Sequence, residues 1–186
     1  MTSAGSVAED GTVRLFLALR LPGPVLDVLE AWGTAHLLGG RVVSRENLHI
    51  TLAFLGYRPA ADIPGILGVL REEAAVCLPS PLEPVRYRET RSVGMVAFDD
   101  PTGAATALAG SLHDRLEKLG VYRREARAWL PHVTVLRFRE RPRLRPPLPQ
   151  TGTFVPSDAA AYVSRLHPSG ARYEVLESTA VGGTTT

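Results

Sequence analysis

The chain has 186 residues, of which 45% are hydrophobic, and this composition supplies a core and excludes wholesale disorder. A single cysteine, Cys77, excludes an intrachain disulfide, and a net charge of only +2 makes charge a weak guide to partners. All but one of the 21 basic residues are arginine, which suits phosphate recognition but also follows from a GC-rich coding sequence.

The two ends of the chain are expected to be flexible tails at residues 1–11 and 181–186, which leaves residues 12–180 as one domain. The first tail lacks the basic and apolar segments of a secretion signal. The longest apolar run near it, residues 15–19, is far short of the roughly 20 residues that span a bilayer. We therefore expect a cytoplasmic protein that does not bind membranes.

The first half of the chain predicts a strand, a helix and a second strand. Residues 13–19 are apolar and rich in strand-forming residues, and Pro22 follows them. Residues 24–38 carry apolar side chains at helical spacing until two glycines end the pattern. A polar link then leads into HITLAFLG at residues 49–56.

The second half repeats this order. Residues 92–98 predict a strand, Pro101 follows, and residues 104–119 predict a helix with leucines on one stripe. Gly120 ends that helix, and an Arg-rich link leads into HVTVLR at residues 132–137. The duplicated pattern predicts two similar lobes around a pseudo-two-fold axis.

The remaining segments extend each lobe. Residues 63–76 predict a helix, and residues 85–90, 154–166 and 173–176 predict strands. The last two strands are expected to be joined by a turn at HPSG, residues 167–170. The Pro- and Arg-rich segment 139–150 predicts a loop.

Each repeated unit ends in a His-x-Thr phrase, His49 with Thr51 and His132 with Thr134. On a strand, residues two apart point to the same face about 6.6 Å from each other. Each phrase therefore offers an imidazole and a hydroxyl side by side on a rigid support, while the residue between them faces the core.

Two imidazoles across a cleft suit displacement at phosphorus. Since the free imidazole has a pKa of about 6.5, one ring is neutral and accepts a proton while the other is protonated and donates one. The threonine hydroxyls can donate hydrogen bonds to the non-bridging phosphate oxygens. This chemistry requires no metal.

Two alternatives stay open on the residues alone. Both histidines fit as core residues of buried strands, each beside a threonine that β-propensity favours. A zinc site needs three or four ligands, and the sequence has no acidic or Cys/His cluster to supply the others.

At these residues the sequence resembles the two-histidine (2H) phosphoesterases, and within them the RNA 2′,3′-cyclic phosphodiesterases, also called 2′-5′ RNA ligases. The matching segments are RLFLAL from Arg14, residues 46–56 (ENLHITLAFLG), 131–138 (PHVTVLRF) and 162–176 (YVSRLHPSGARYEVL). The resemblance implies an α+β fold of two pseudo-symmetric lobes, each an antiparallel sheet with helices outside, around a central cleft. It implies hydrolysis of an RNA or nucleotide 2′,3′-cyclic phosphate to a 2′-phosphate without metal or cofactor.

The resemblance also implies the roles of five residues. His49 and His132 match the catalytic pair, and Thr51, Thr134 and Arg137 match the groups that hold the phosphate. Arg137 raises a geometric difficulty, because strict alternation places it on the face opposite His132. It reaches the cleft only if the strand bulges, twists or ends there, and otherwise it is a solvated arginine of the outer face.

Other aromatic and basic residues admit two interpretations each. Phe16 and Trp129 are candidates for stacking on a base, and both also fit the core. The arginines at 139, 141, 143 and 145 either line an RNA path or decorate a solvated loop. Phe54 stands in HITLAF where Arg137 stands in HVTVLR, so any asymmetry between the repeats is expected to begin there.

The leading hypothesis is therefore a monomeric cyclic phosphodiesterase acting on RNA or a nucleotide. We favour His132 as base and His49 as acid, although the repeat makes the two nearly equivalent. Alternatives with the same site are 2′-5′ RNA ligation and hydrolysis of other cyclic nucleotides or of ADP-ribose cyclic phosphate. An alternative of another class is a nucleotide- or RNA-binding module without turnover.

Overall fold

The computed structural model describes residues 11–165 and 171–182. The described residues form eight strands: β1 Thr12–Arg20, β2 Arg41–Val42, β3 Ile50–Pro59, β4 Glu83–Glu89, β5 Val93–Asp99, β6 His132–Arg137, β7 Asp158–Arg165 and β8 Arg172–Ala180. They also form three α-helices, α1 Gly23–His36, α2 Ile63–Val76 and α3 Ala104–Lys118, and two short 3-10 helices, Arg45–Asn47 and Ala60–Asp62. The predicted tails and the predicted turn at 167–170 lie almost wholly outside the described residues.

Proline and glycine residues bound the helices, and of Pro24, Gly103 and Gly120 the sequence predicts Gly120. Pro24 lies in the first turn of α1, where its missing N–H costs no hydrogen bond. Gly103 at φ +70° precedes α3 and Gly120 at φ +76° follows it, both in the left-handed conformation that glycine adopts without strain. No helix in this part of the chain is long and apolar enough to cross a membrane.

The strands pair antiparallel in the order β4-β5-β6-β3-β1-β7-β8, with β2 beside β6. This confirms the predicted α+β fold and adds one feature. The sheets of the two lobes join edge to edge into a single open sheet, and the junction between β3 and β6 consists of one registered pair, Ile50 and Val133. The two His-x-Thr strands thus meet at this narrow seam.

The helices interlock the two halves of the chain. Helix α1 from the first half contacts β6 of the second, and α3 from the second half contacts β3 of the first. Helix α2 packs against α3 and against β7 and β8. The main core therefore lies between one face of the sheet and the three helices, and it spans both lobes.

The opposite face of the sheet carries a second, smaller apolar cluster. Strand β1 alternates, so Leu15 and Leu17 enter the main core while Phe16 and Ala18 point to the other side. There Phe16 packs against Tyr162 and Tyr173. This second face is called the concave face because a cavity opens on it, and that cavity is the candidate site.

Candidate active site

A cavity of about 460 Å³ opens on the concave face beside the seam, and both His-x-Thr phrases line it. His49 reaches it from the residue before β3 and Thr51 from β3 itself, and His132 and Thr134 reach it from β6. Arg137 lines the same cavity. The structure thus brings together the five residues that the sequence predicts as the catalytic and phosphate-binding set.

The two imidazoles are oriented in the same way. Nδ1 of His49 donates to the carbonyl of Asn47 at 2.8 Å, and Nδ1 of His132 donates to the carbonyl of Leu130 at 2.8 Å. A carbonyl oxygen only accepts, so these bonds place the proton of each neutral ring on Nδ1. Nε2 is then the nitrogen that exchanges protons in each ring.

A β-bulge interrupts β3 after its threonine. In the pairing with β1, Thr51 lies opposite Ala18 and Ala53 lies opposite Leu17, so Leu52 has no partner of its own. Leu52 and Ala53 are consecutive and both join the main core. The bulge turns the next residue, Phe54, back to the cavity.

Strand β6 carries a bulge at the corresponding position. Thr134 lies opposite Met95 and Leu136 lies opposite Gly94, which leaves Val135 as the extra residue. Val135 and Leu136 are both buried in the main core, and Arg137 turns to the cavity. The bulge resolves the difficulty that strict alternation posed for Arg137.

His49 is enclosed by aromatic rings. Its ring centroid lies 4.8 Å from that of Phe16 and 5.4 Å from that of Tyr173, which meets it edge-on at 82°. Burial lowers the pKa of His49 to about 4, and the positive charges of His132 and Arg137 act in the same direction against the opposing hydrogen bond to Asn47. His49 is therefore neutral at pH 7, and its Nε2 accepts the hydroxyl proton of Thr51 at 3.1 Å.

The two predicted stacking residues occupy different places. Phe16 lines the cavity but is only 3% exposed, and its ring is stacked on Tyr162 at 4.9 Å. Trp129 packs against the main core, and its Nε1 donates to the carbonyl of Thr51 at 2.9 Å. Trp129 is not among the described residues that line the cavity, so it supports Thr51 from behind.

Sequence reasoning missed several residues of the cavity wall. Arg14 reaches it from β1, donates to Ser164 at 2.9 Å and lies 4.8 Å above the ring of Phe54. Its spacing of two residues from Phe16 is the signal that predicts a shared face. Tyr173 had no such signal, because its contact with His49 depends on how β8 returns beside β7.

The charge of the wall is mostly positive. Arg14, Arg41, Arg137 and Arg172 line the cavity, and Glu46 is the one carboxylate among the described lining residues. In the described part of the chain no three His, Cys, Asp or Glu side chains are grouped around a metal position. Imidazoles, hydroxyls and guanidinium groups together suit an oxyanion such as a phosphate.

Comparisons with known protein sequences place this chain beside phosphoesterases. A family model described as LigT like Phosphoesterase matches residues 19–83. The RNA 2′,3′-cyclic phosphodiesterase of Escherichia coli is 26% identical over 170 residues, which cover 88% of this chain and 94% of that protein.

Solved structures share the whole fold. The structure of E. coli LigT with NADP⁺ has a TM-score of 0.78 at 25% identity, covering 92% of this chain and 98% of that one. TT0787 of Thermus thermophilus has a TM-score of 0.78 at 28% identity, with 92% and 99% covered. These matches confirm the resemblance that the sequence shows to the LigT-like phosphoesterases of the two-histidine superfamily.

Proposed function

We propose that this protein hydrolyses RNA or nucleotide 2′,3′-cyclic phosphates to 2′-phosphates, with His49 and His132 as the acid–base pair. The observation that carries the proposal is the pair of identically anchored imidazoles on one cavity. The E. coli relative is named an RNA 2′,3′-cyclic phosphodiesterase, and crystal structures of E. coli LigT hold NADP⁺ and 3′-AMP, two nucleotides with a phosphate on ribose.

The proposed reaction is an in-line displacement. Water attacks the cyclic phosphorus, a new P–O bond forms, and the bond from phosphorus to the 3′ oxygen breaks. One imidazole takes the proton of the water and the other gives a proton to the 3′ oxygen. Thr51, Thr134 and Arg137 donate hydrogen bonds to the non-bridging oxygens, where charge accumulates.

The structure favours His49 as the base, which reverses the preference drawn from the sequence. With a pKa of about 4, His49 is neutral in the free enzyme near pH 7 and ready to accept a proton. His132 then supplies the proton to the leaving oxygen.

The principal test replaces each histidine in turn. His49→Ala and His132→Ala are each expected to lower kcat by roughly 10²–10⁴-fold, the usual contribution of a positioned acid or base. The assay follows release of 2′-AMP from 2′,3′-cyclic AMP, with the phosphate isomer identified by chromatography. His36→Ala is the matched control, because His36 is exposed on α1 and lies away from the cavity.

Near-full activity in either cavity variant would exclude the two-histidine mechanism. Activity of the wild type that is lost in EDTA and restored by a metal would also contradict it. Tight binding of AMP without hydrolysis of any cyclic phosphate would instead favour the non-catalytic nucleotide-binding module.

A modified substrate assigns the acid and the base. A cyclic phosphate with sulfur in place of the 3′ oxygen releases a thiolate, which needs no proton to leave. This substrate is expected to restore turnover by His132→Ala and not by His49→Ala. The opposite pattern would return the assignment to His132 as base.

A further inference from the structure

We propose that the concave face of β5 and β4, with the loop that follows β6, binds the upstream phosphates of a single-stranded RNA whose 3′ end occupies the cavity. This inference rests on the proposed function and extends it to the class of substrate, an oligonucleotide in preference to a mononucleotide.

Strand register places two arginines in line with the catalytic residues. His132 pairs with Ala97, which pairs with Arg86, and Thr134 pairs with Met95, which pairs with Arg88. Side chains directly opposite each other in antiparallel strands share a face, so both arginines stand on the concave side. Two strand spacings separate them from β6, about 10 Å.

Burial supports this placement of the side chains. Val96 and Phe98 of β5 enter the main core, whereas Met95 and Ala97, which alternate with them, belong to neither apolar cluster. Arg86 and Arg88, at the edge of the sheet, are exposed. A chain that leaves the cavity across β5 therefore meets an apolar floor and then two guanidinium groups.

The loop after β6 continues this positive surface. Arg88 lines a second concavity of about 540 Å³ together with Arg141, Arg143 and Arg145. The buried carboxylate of Glu89, with a side chain only 2% exposed, accepts the backbone N–H groups of Arg143 and Leu144 at 2.9 and 2.8 Å. The loop is thus fixed in place while its arginines project outward.

Arg143 has a conformation that costs energy. Its φ of +59° is in the left-handed region, which a residue with a β-carbon adopts at a penalty. The hydrogen bond from its N–H to Glu89 holds it there. Strain that surrounding contacts maintain is characteristic of functional segments.

Carboxylates leave the charges of this surface largely unneutralised. Several other arginines pair with carboxylates: Arg20 with Asp158, Arg71 with Glu177, Arg115 with Glu72, Arg124 with Asp114 and Arg165 with Glu174. Arg14 and Arg137 of the catalytic cavity have no such ion pair among the described residues, so the surface shares this property with the cavity. Among the described residues, no ion pair involves Arg86, Arg88, Arg143 or Arg145. Their charges stay available for phosphates.

Carboxylates on the same face determine the direction in which the RNA is expected to leave the cavity. Glu83 and Asp99 pair with each other at the opposite end of the β4–β5 ladder. They repel phosphates there, so the RNA is expected to run past Arg88 toward the loop. Arg141 contributes less, because Glu89 already neutralises it.

The test compares substrates of two lengths. The wild type is expected to have a higher kcat/KM for a short single-stranded RNA ending in a 2′,3′-cyclic phosphate than for 2′,3′-cyclic AMP. The ratio of kcat/KM for the RNA to kcat/KM for 2′,3′-cyclic AMP is expected to fall roughly tenfold in the double variant Arg86→Ala/Arg88→Ala, because it loses two phosphate contacts. The slope of log kcat/KM for the RNA against log salt concentration should decrease in magnitude by about 1.4, or about 0.7 for each contact.

Arg71→Ala/Lys118→Ala is the matched control, since it removes the same charge from the helical side of the protein. An equal fall in the ratio for this control would overturn the proposal. An unchanged ratio and slope in Arg86→Ala/Arg88→Ala, or no preference of the wild type for RNA, would overturn it as well.

The failure of this surface is distinguishable from failure of the proposed function. If 2′,3′-cyclic AMP is hydrolysed and the RNA has no higher kcat/KM, only the proposed RNA-binding surface is wrong. If neither substrate is hydrolysed, the proposed function is wrong, and fluorescence anisotropy of the same labelled RNA tests the surface directly. The double variant then has to bind the RNA roughly tenfold more weakly than the control does.

Discussion

The two His-x-Thr strands are built alike. In each, the imidazole donates through Nδ1 to the carbonyl two residues before it, at 2.8 Å in both cases. In each, the third residue after the histidine is the extra residue of a bulge, Leu52 in β3 and Val135 in β6. The repeat therefore extends to backbone irregularity, which positions the residue five places after each histidine.

The strands differ in what surrounds their shared geometry. Phe16 and Tyr173 enclose His49 and burial lowers its pKa, while the bulge of β3 presents an apolar ring, Phe54. The bulge of β6 presents the guanidinium of Arg137 instead. We infer that the duplication sets the positions of the two imidazoles. Their neighbours decide which imidazole acts as the base and which strand supplies a positive charge to the phosphate.

The first test of this comparison concerns Phe54 and Arg137, which occupy equivalent positions in the two strands. Arg137→Ala is expected to lower kcat/KM for 2′,3′-cyclic AMP by roughly 10²-fold, because a charged donor to the phosphate is lost. Phe54 is at the equivalent position and is 49% exposed. The fold-reduction in kcat/KM for Phe54→Ala is therefore expected to be less than about a tenth of that for Arg137→Ala. Steady-state kinetics at pH 7 measures both.

Arg137→Lys sharpens the same test. A lysine keeps the charge but loses the planar fork of donors, so it is expected to recover only part of the activity. Equal losses for Arg137→Ala and Phe54→Ala would show that the asymmetry lies elsewhere.

The threonines provide a test with a smaller expected effect. Thr51→Val and Thr134→Val remove a hydroxyl at nearly constant volume, and each is expected to lower kcat roughly ten- to a hundredfold. In the free protein the hydroxyl of Thr51 donates to His49, and it has to turn to the phosphate on binding. Thr134→Val should therefore cost at least as much as Thr51→Val, and a much greater loss for Thr51→Val would contradict equivalent roles.

The lowered pKa of His49 can be measured directly by titration. Its ring proton resonances are expected to titrate with a midpoint near pH 4. NMR measures this titration, and the His49→Gln variant identifies which resonances belong to His49. Tyr173→Ala exposes the ring to water and is expected to move the midpoint toward 6.5. Tyr57→Ala is the control, because Tyr57 is exposed and is not a lining residue.

The same pKa predicts a stability change. Between pH 6.5 and 4 the unfolded chain holds a proton at His49 that the folded chain does not, so the fold loses stability as the pH falls through this range. Urea unfolding of the wild type and His49→Gln measures this component as their difference. A difference that does not change with pH would show that burial leaves the pKa of His49 unaltered.

The sequence predicts most elements of this fold because hydrophobic periodicity, prolines and glycines act locally. It predicts helix α2 at its observed bounds and places α3 within one residue. It predicts the shared face of His49 and Thr51 for the same reason, since alternation is a property of a single strand.

Other features depend on contacts distant in sequence. The bulges arise from the register between neighbouring strands, and the sequence shows only that one is needed if Arg137 is to reach the cleft. The crossing of α1 to β6 and of α3 to β3 depends on tertiary packing. The pKa of His49 depends on Phe16 and Tyr173, which come from two other strands, so the residues beside His49 carry no sign of it.

The smallest expected effect on catalysis comes from Glu89, which holds the loop after β6. Gly94, the partner of Leu136, leaves room for the hydroxyl of Tyr87, and this hydroxyl donates to Glu89 at 3.2 Å. Burial raises the pKa of Glu89, but the hydrogen bonds from Leu144, Arg141, Arg143 and Tyr87 together outweigh it and keep the pKa below its usual value. Glu89 is thus the ionised anchor of the loop after β6.

Glu89→Gln is expected to lower the free energy of unfolding by about 1–3 kcal/mol, since a buried acceptor loses its charge and one of its oxygens. Because folding lowers the pKa of Glu89, the contribution of the carboxylate is fully present above the unfolded value and disappears as the pH falls through the folded one. The difference between the two proteins in urea unfolding should therefore shrink on acidification. Turnover of 2′,3′-cyclic AMP should change by less than about threefold, because no atom of Glu89 lines the catalytic cavity. A large fall in turnover without a loss of stability would instead mean that the loop acts on the phosphate through Arg137, and the two concavities would then have to be treated as one site.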